Sequence, residues 1–210
     1  MAEAAERLFV DEEPVVRGRV RRHAGVDRLF HWLTSVALFT LMATGLLPVL
    51  GVKFDWVVIH WSVGIFLMVL VLFHIVRALF WQRIRSMLWF TAQEIAGKQV
   101  GKYTVAQKLM HHAMTLMVLG AVITGCLMLM KMDTPLWKRD PYVLSQATWG
   151  VIYVIHGIAA LSAVTLVLIH VYFAIIPESR VYLRAMIRGW ITREELIEHH
   201  EPGRAAHKKT

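Results

Sequence analysis

Four apolar runs, roughly 29–50, 57–80, 109–130 and 149–176, are each long enough to cross a bilayer core. A hydrocarbon core of about 30 Å takes about 20 residues of helix. Lipid offers the backbone no hydrogen-bond partner, so an isolated strand cannot lie there and helices are the expected form. The predicted fold is therefore an all-α integral membrane protein with four transmembrane helices. At 57% apolar and 18% charged over 210 residues, the chain does not have the composition of a soluble domain. Gly45 and Pro48 predict an irregular end to the first run. The fourth exceeds the need and predicts tilt or projection beyond the membrane. The expected organisation is an arm over 1–27, a membrane domain over 28–178 and a tail over 179–210.

Charge orients this set. Of 23 Lys and Arg, nineteen fall in residues 1–28, the 77–108 connection and the tail; four fall in the other two loops. That bias places both termini and the middle connection in the cytoplasm. The net charge of +8 then reflects topology, and no basic, aromatic-interleaved soluble module suggests nucleic acid. The opening MAEAAERLFVDEEP is acidic and lacks an apolar signal region, so no cleavable leader is expected. The single cysteine, Cys126, reads as a small buried hydrophobe. No cysteine cluster suggests an iron–sulfur centre, and no C-x-x-C-H suggests a covalent heme.

Histidines carry the chemistry. His60 and His74 share the second run, His156 and His170 the fourth, and each pair is 14 residues apart. Fourteen residues of helix rise about 21 Å and return to within about 40° of the starting face. Each pair thus puts one imidazole near each side of the membrane on nearly one face. An unsupported histidine is costly within lipid, so all four are functional candidates. Two trans imidazoles leave heme iron six-coordinate, suited to electron transfer more than to substrate chemistry. His60 and His156 form an outer pair. For the inner site, His170 has two candidate partners, His31 and His74, and spacing alone favours His74. His111 and His112 open the third run and read as interfacial groups or proton carriers beside a quinone. His199, His200 and His207 read as solvated tail residues.

Arg28-Leu29-Phe30-His31-Trp32, then Ile59-His60 followed by Gly64, begin a recognisable series. It continues through Gly101-Lys102-Tyr103 with Gln107-Lys108, Ile155-His156-Gly157 and Leu168-Ile169-His170-Val171-Tyr172. Gly189-Trp190 and His199-His200 complete it. Over about residues 20–200 the chain resembles the cytochrome b (gamma) subunit of membrane-bound respiratory formate dehydrogenases. The wider set of di-heme cytochromes b includes those of nickel–iron hydrogenases.

The resemblance implies a four-helix bundle holding two b hemes, with His60 and His156 on the outer iron and His31 and His170 on the inner one. It implies partners as well: an iron–sulfur beta subunit, a molybdopterin alpha subunit that oxidises formate, and menaquinone or ubiquinone as acceptor. A bacterial inner-membrane location and a higher oligomer of the complex go with these. Two departures stand out. His74 occupies a position where the family carries an apolar residue. Thr104-Val105-Ala106-Gln107 replaces Asn-Ala-Gly-Gln, which lines the family's quinone pocket; Thr104, Ala106 and Gln107 are therefore the candidate quinone contacts. Competing expectations are a hydrogenase or thiosulfate/polysulfide reductase cytochrome and, in another class, a heme-free anchor or transporter.

Overall fold

The computed structural model describes residues 15–16, 18–81, 88–96, 103–135 and 137–195. The motif residues Gly101, Lys102, His199 and His200, and also His207, lie outside them. In chain order the elements are β1 (Val15–Val16), β2 (Arg19–Arg21), α1 (Gly25–Leu46), α2 (Trp56–Trp81) and α3 (Ala92–Ile95). They continue with α4 (Val105–Leu129), α5 (Gln146–Ile175), a 3₁₀ turn (Pro177–Ser179), α6 (Arg180–Arg188) and β3 (Trp190–Thr192). Helices α1, α2, α4 and α5 are long and apolar enough to cross a membrane. The chain folds as two compact units.

The larger unit takes in Trp32–Ile84 and Leu109–Ile169, the greater part of the four long helices. Its buried residues include the small Ala37, Thr44, Ala78, Thr124, Ala159 and Ala163, with Leu67, Leu129, Trp149, Ile152 and Val167 beside them. Small side chains let helices approach where lipid gives apolar surfaces no reason to leave it. The outward side chains are large and apolar, among them Val36 at 65% exposed, Leu116 at 65% and Leu168 at 64%. Such surface suits lipid and would be ruinous in water.

Helix α1 ends at Leu46 because Leu47 precedes Pro48, and the residue before proline is driven out of the helical region. The chain then turns through Gly51 at φ 87°. The described residues of loop 130–145 are folded against helix ends. Trp149 is 1% exposed and donates from Nε1 to the Pro141 carbonyl at 3.0 Å. Trp137 donates likewise to the Leu129 carbonyl at 3.0 Å.

The smaller unit draws on Met1–His31, Arg85–Lys108 and His170–Thr210. Its strands form one antiparallel sheet in the order β1-β2-β3, with Val20 opposite Ile191. Nothing in the sequence pattern predicts this sheet, since strands of two or three residues are too short for alternation to register. Val20 and Ile191 pack with Val181 and Ala185 of α6 into a core that Tyr182 flanks. Arg19 lies over the Trp190 ring at 4.0 Å.

Gly189 joins these pieces. At φ 90° it closes α6 in the left-handed region. Its carbonyl accepts from the backbone N–H groups of Arg22 and His23 at 2.8 and 3.1 Å. A methyl added there would meet the His23 carbonyl oxygen at 3.2 Å. Gly189→Ala is therefore expected to destabilise the fold by about 1–3 kcal/mol. A lowered thermal midpoint in detergent is the measurement, and an unchanged midpoint would contradict it.

The same unit ties the short helix α3 to the start of α4. Thr91 and Glu94 form a reciprocal capping box around α3. Lys108 then reaches both Glu94 carboxylate oxygens at 2.9 Å and the Trp89 carbonyl at 3.0 Å. Both side chains are almost wholly buried, at 3% and 5% exposed. The Lys108 hydrogen bonds, helped by the Thr91 N–H, hold the Glu94 carboxyl below its usual 4.5 against the effect of burial.

Candidate functional site

In the larger unit, α2 and α5 set His60 and His156 ring to ring, with centroids 6.4 Å apart and planes at 70°. A metal–imidazole bond of about 2.0–2.1 Å, plus about 1.2 Å to each ring centre, puts two trans imidazoles about 6.4 Å apart. An edge-to-face aromatic pair covers the same range, so distance alone does not assign a role.

The hydrogen bonds are more informative. Thr44 Oγ1 lies 2.8 Å from His60 Nδ1, and Thr124 Oγ1 lies 2.9 Å from His156 Nδ1. Each threonine also bonds the carbonyl one turn back, Thr44 to Thr40 at 2.8 Å and Thr124 to Gly120 at 2.6 Å. A hydroxyl has one proton. With that proton given to the carbonyl, the oxygen can only accept from the histidine, so Nδ1 carries the hydrogen on both rings. Each neutral imidazole then presents a bare Nε2. This is the tautomer a metal ligand needs, fixed by its neighbour's hydrogen bond.

Space around the rings comes from glycines. A methyl at Gly45 would lie 3.8 Å from His60 Cε1, and one at Gly125 would lie 3.4 Å from His156 Cε1. Other small residues near the pairs behave differently. Cβ atoms at Gly64 and Gly157 would meet nothing within 4 Å, and Ala159 Cβ would contact a methyl at Gly120. Trp56 stands edge-on to His60 at 6.3 Å. Cys126 Sγ packs 3.5 Å from Met68 Sδ, as a small interior residue would.

In the smaller unit, His31 from α1 faces His170 from α5 with centroids 6.3 Å apart. His74, the other sequence candidate for that partnership, stands against His111 in the larger unit at 6.3 Å. His112 lies edge-on to His111 at 6.0 Å. Among the described residues, no group of three or more His, Cys, Asp or Glu side chains could hold a metal ion. An iron between two of these imidazoles would thus need its remaining positions filled by a non-protein ligand.

The structure gives the candidate quinone contacts Thr104 and Gln107 a local task. The Thr104 N–H donates to Gln107 Oε1 at 3.0 Å, and the Gln107 N–H donates to Thr104 Oγ1 at 3.2 Å. This capping box starts α4 four residues before the apolar run begins. It leaves the Gln107 side-chain NH₂ outside the box, while Ala106 is exposed.

The sequence pattern of the prokaryotic cytochrome b561 family matches residues 22–189, which include both facing pairs and the spans that carry them. The chain belongs to the prokaryotic cytochrome b561 family. It is also similar to the formate dehydrogenase cytochrome b556 subunit of Haemophilus influenzae, at 22% identity over 204 aligned residues. That alignment covers 87% of this chain and 81% of the relative. This b561-family protein is accordingly a multi-pass protein of the bacterial inner membrane, and heme b is the cofactor its family implies. The residues fit that group. The facing imidazoles of His60 with His156, and of His31 with His170, would hold the iron of such a group, and heme would supply a one-electron couple.

Proposed function

We propose that this b561-family protein is the membrane-anchoring cytochrome b subunit of a formate dehydrogenase complex. His60 and His156 would ligate one heme b, and His31 and His170 a second. The Thr44 and Thr124 hydrogen bonds carry this reading, because they fix on two facing histidines the tautomer that a metal requires. Bound heme supplies a one-electron couple; the protein holds the imidazoles, sets their tautomers and excludes water with the apolar spans.

The similarity to the Haemophilus subunit supports formate dehydrogenase as the host complex, with an iron–sulfur beta subunit as electron donor and a molybdopterin alpha subunit beyond it. The charge bias supports cytoplasmic termini, with the His60/His156 pair toward the periplasm. Membrane quinone is the proposed acceptor. The Gln107 amide is the group in the 104–107 stretch that keeps its donors available, so it is the expected quinone contact there.

An optical spectrum with a pyridine hemochrome assay tests the assignment on purified protein. Reducible b-type bands and about two hemes per chain are expected; a chain without them is a heme-free anchor. The inner site has its own test. His31→Ala is expected to lose a low-spin heme signal, while His74→Ala keeps both, because the ring facing His170 is that of His31. Loss confined to His74→Ala would reverse the inner assignment.

A further inference from the structure

Arg28 holds a charge with one of its five N–H donors in a hydrogen bond. Its Nη1 donates to the Ile187 carbonyl at 2.6 Å. Its Nε is buried and has no acceptor among the described residues. Gly189 closes over the group: a methyl there would lie 3.3 Å from both Cζ and Nε and press on the guanidinium. One corner is thus anchored to a backbone carbonyl, and the Nε–Nη2 edge is uncommitted. That edge offers two parallel N–H donors, the fork a carboxylate matches with two charge-assisted hydrogen bonds.

Helix stability does not ask for this cation. Arg28 follows Asp27 in the first turn of α1, where the helix dipole is positive and an anion is the favoured guest. A bound carboxylate would answer both the unsatisfied edge and the dipole. Arg28 also lies three residues before His31, so the two side chains are neighbours on the helix surface. His31 in turn faces His170 at 6.3 Å.

We propose that Arg28 is a carboxylate receptor that binds a propionate of the heme held by His31 and His170. This rests on reading that pair as heme ligands. Arg28 is a positioning residue: it compensates propionate charge and fixes the ring's rotation about the iron axis, while the histidines hold the iron. A carboxylate side chain of the protein has the same chemistry, so the test must tell the two sources apart.

The test uses the full chain in a His60→Ala background, which leaves the His31/His170 heme as the reporter. Redox titration of Arg28→Gln is expected to lower that heme's potential, because an uncompensated propionate favours the ferric state. The expected size is about a tenfold rise in the oxidised-to-reduced ratio at fixed ambient potential, or about 59 mV for one electron. Arg28→Lys keeps the charge without the fork and should shift less. Reconstitution with heme dimethyl ester, which has no propionate charge, should erase the difference between arginine and glutamine.

Equal potentials for arginine and glutamine, with the heme bound in both, overturn the proposal and leave the ligand assignment standing. A difference that survives with the dimethyl ester places the carboxylate on the protein and also overturns it. Absence of any heme in the His60→Ala background refutes the ligand assignment itself. If Arg28→Gln does not insert, Arg28→Lys against the two hemes decides by the same comparison.

Discussion

Replacing His60 or His156 with alanine is expected to abolish binding of the outer heme, halving the heme content of the purified protein while the four helices still insert. Under the proposed assignment each histidine is one of two facing ligands, and no third described His, Cys, Asp or Glu side chain stands by to replace it. Insertion depends on apolar spans that neither substitution shortens. Thr44→Val and Thr124→Val are graded versions of the same experiment. Valine keeps the volume but removes the oxygen that accepts the Nδ1 hydrogen, so tautomer and ring orientation are no longer held. Loss of such a supporting hydrogen bond typically weakens metal-site affinity about 10–100-fold. Hemochrome assays on all four variants give the measurement. Full heme content in both alanine variants would mean that the pair is a packing contact and not a ligand pair.

The spans were legible in the sequence because the bilayer imposes one length and leaves one secondary structure able to meet it. Their ends were less so, since caps decide them. Helix α4 starts at Val105 because Thr104 and Gln107 cap each other, and that T-x-x-Q spacing was present in the sequence. The sheet of β1, β2 and β3 was illegible for a different reason: its strands are shorter than one period of any pattern.

For the site, the 14-residue spacing told which histidines share a face but not what faces them. It favoured His74 as the partner of His170, whereas the structure sets His31 against His170 and His74 against His111. The supporting threonines left no trace in the sequence. Thr44 and His60 meet across two helices at a separation of 16 residues, and Thr124 and His156 at 32. Such separations follow from loop lengths and helix packing, with no periodicity to detect.

Lys108→Ala is expected to be the most damaging change in the smaller unit, because it leaves Glu94 buried with its charge uncompensated. Removing one partner of a buried ion pair costs about 3–5 kcal/mol, well above the pair's own net contribution. Exchanging both partners, as Lys108→Met with Glu94→Gln, should recover most of that loss, since neither residue then carries a charge to desolvate.

The pH dependence separates this cause from simple loss of packing. In the native protein Lys108 lowers the Glu94 carboxyl, so its contribution is complete above the usual 4.5 and fades as pH falls through the lowered value. Without Lys108 the carboxyl loses the largest of the effects that lower it, while the Thr91 N–H still offsets burial. The gap between native and variant is therefore full above the usual 4.5 and closes as acid protonates Glu94 in both. Thermal unfolding in detergent from neutral pH to below about 4.5 should therefore show the stability gap between native and variant narrowing at the acid end. A gap that stays constant with pH would assign the loss to the missing lysine stem and not to the stranded carboxylate.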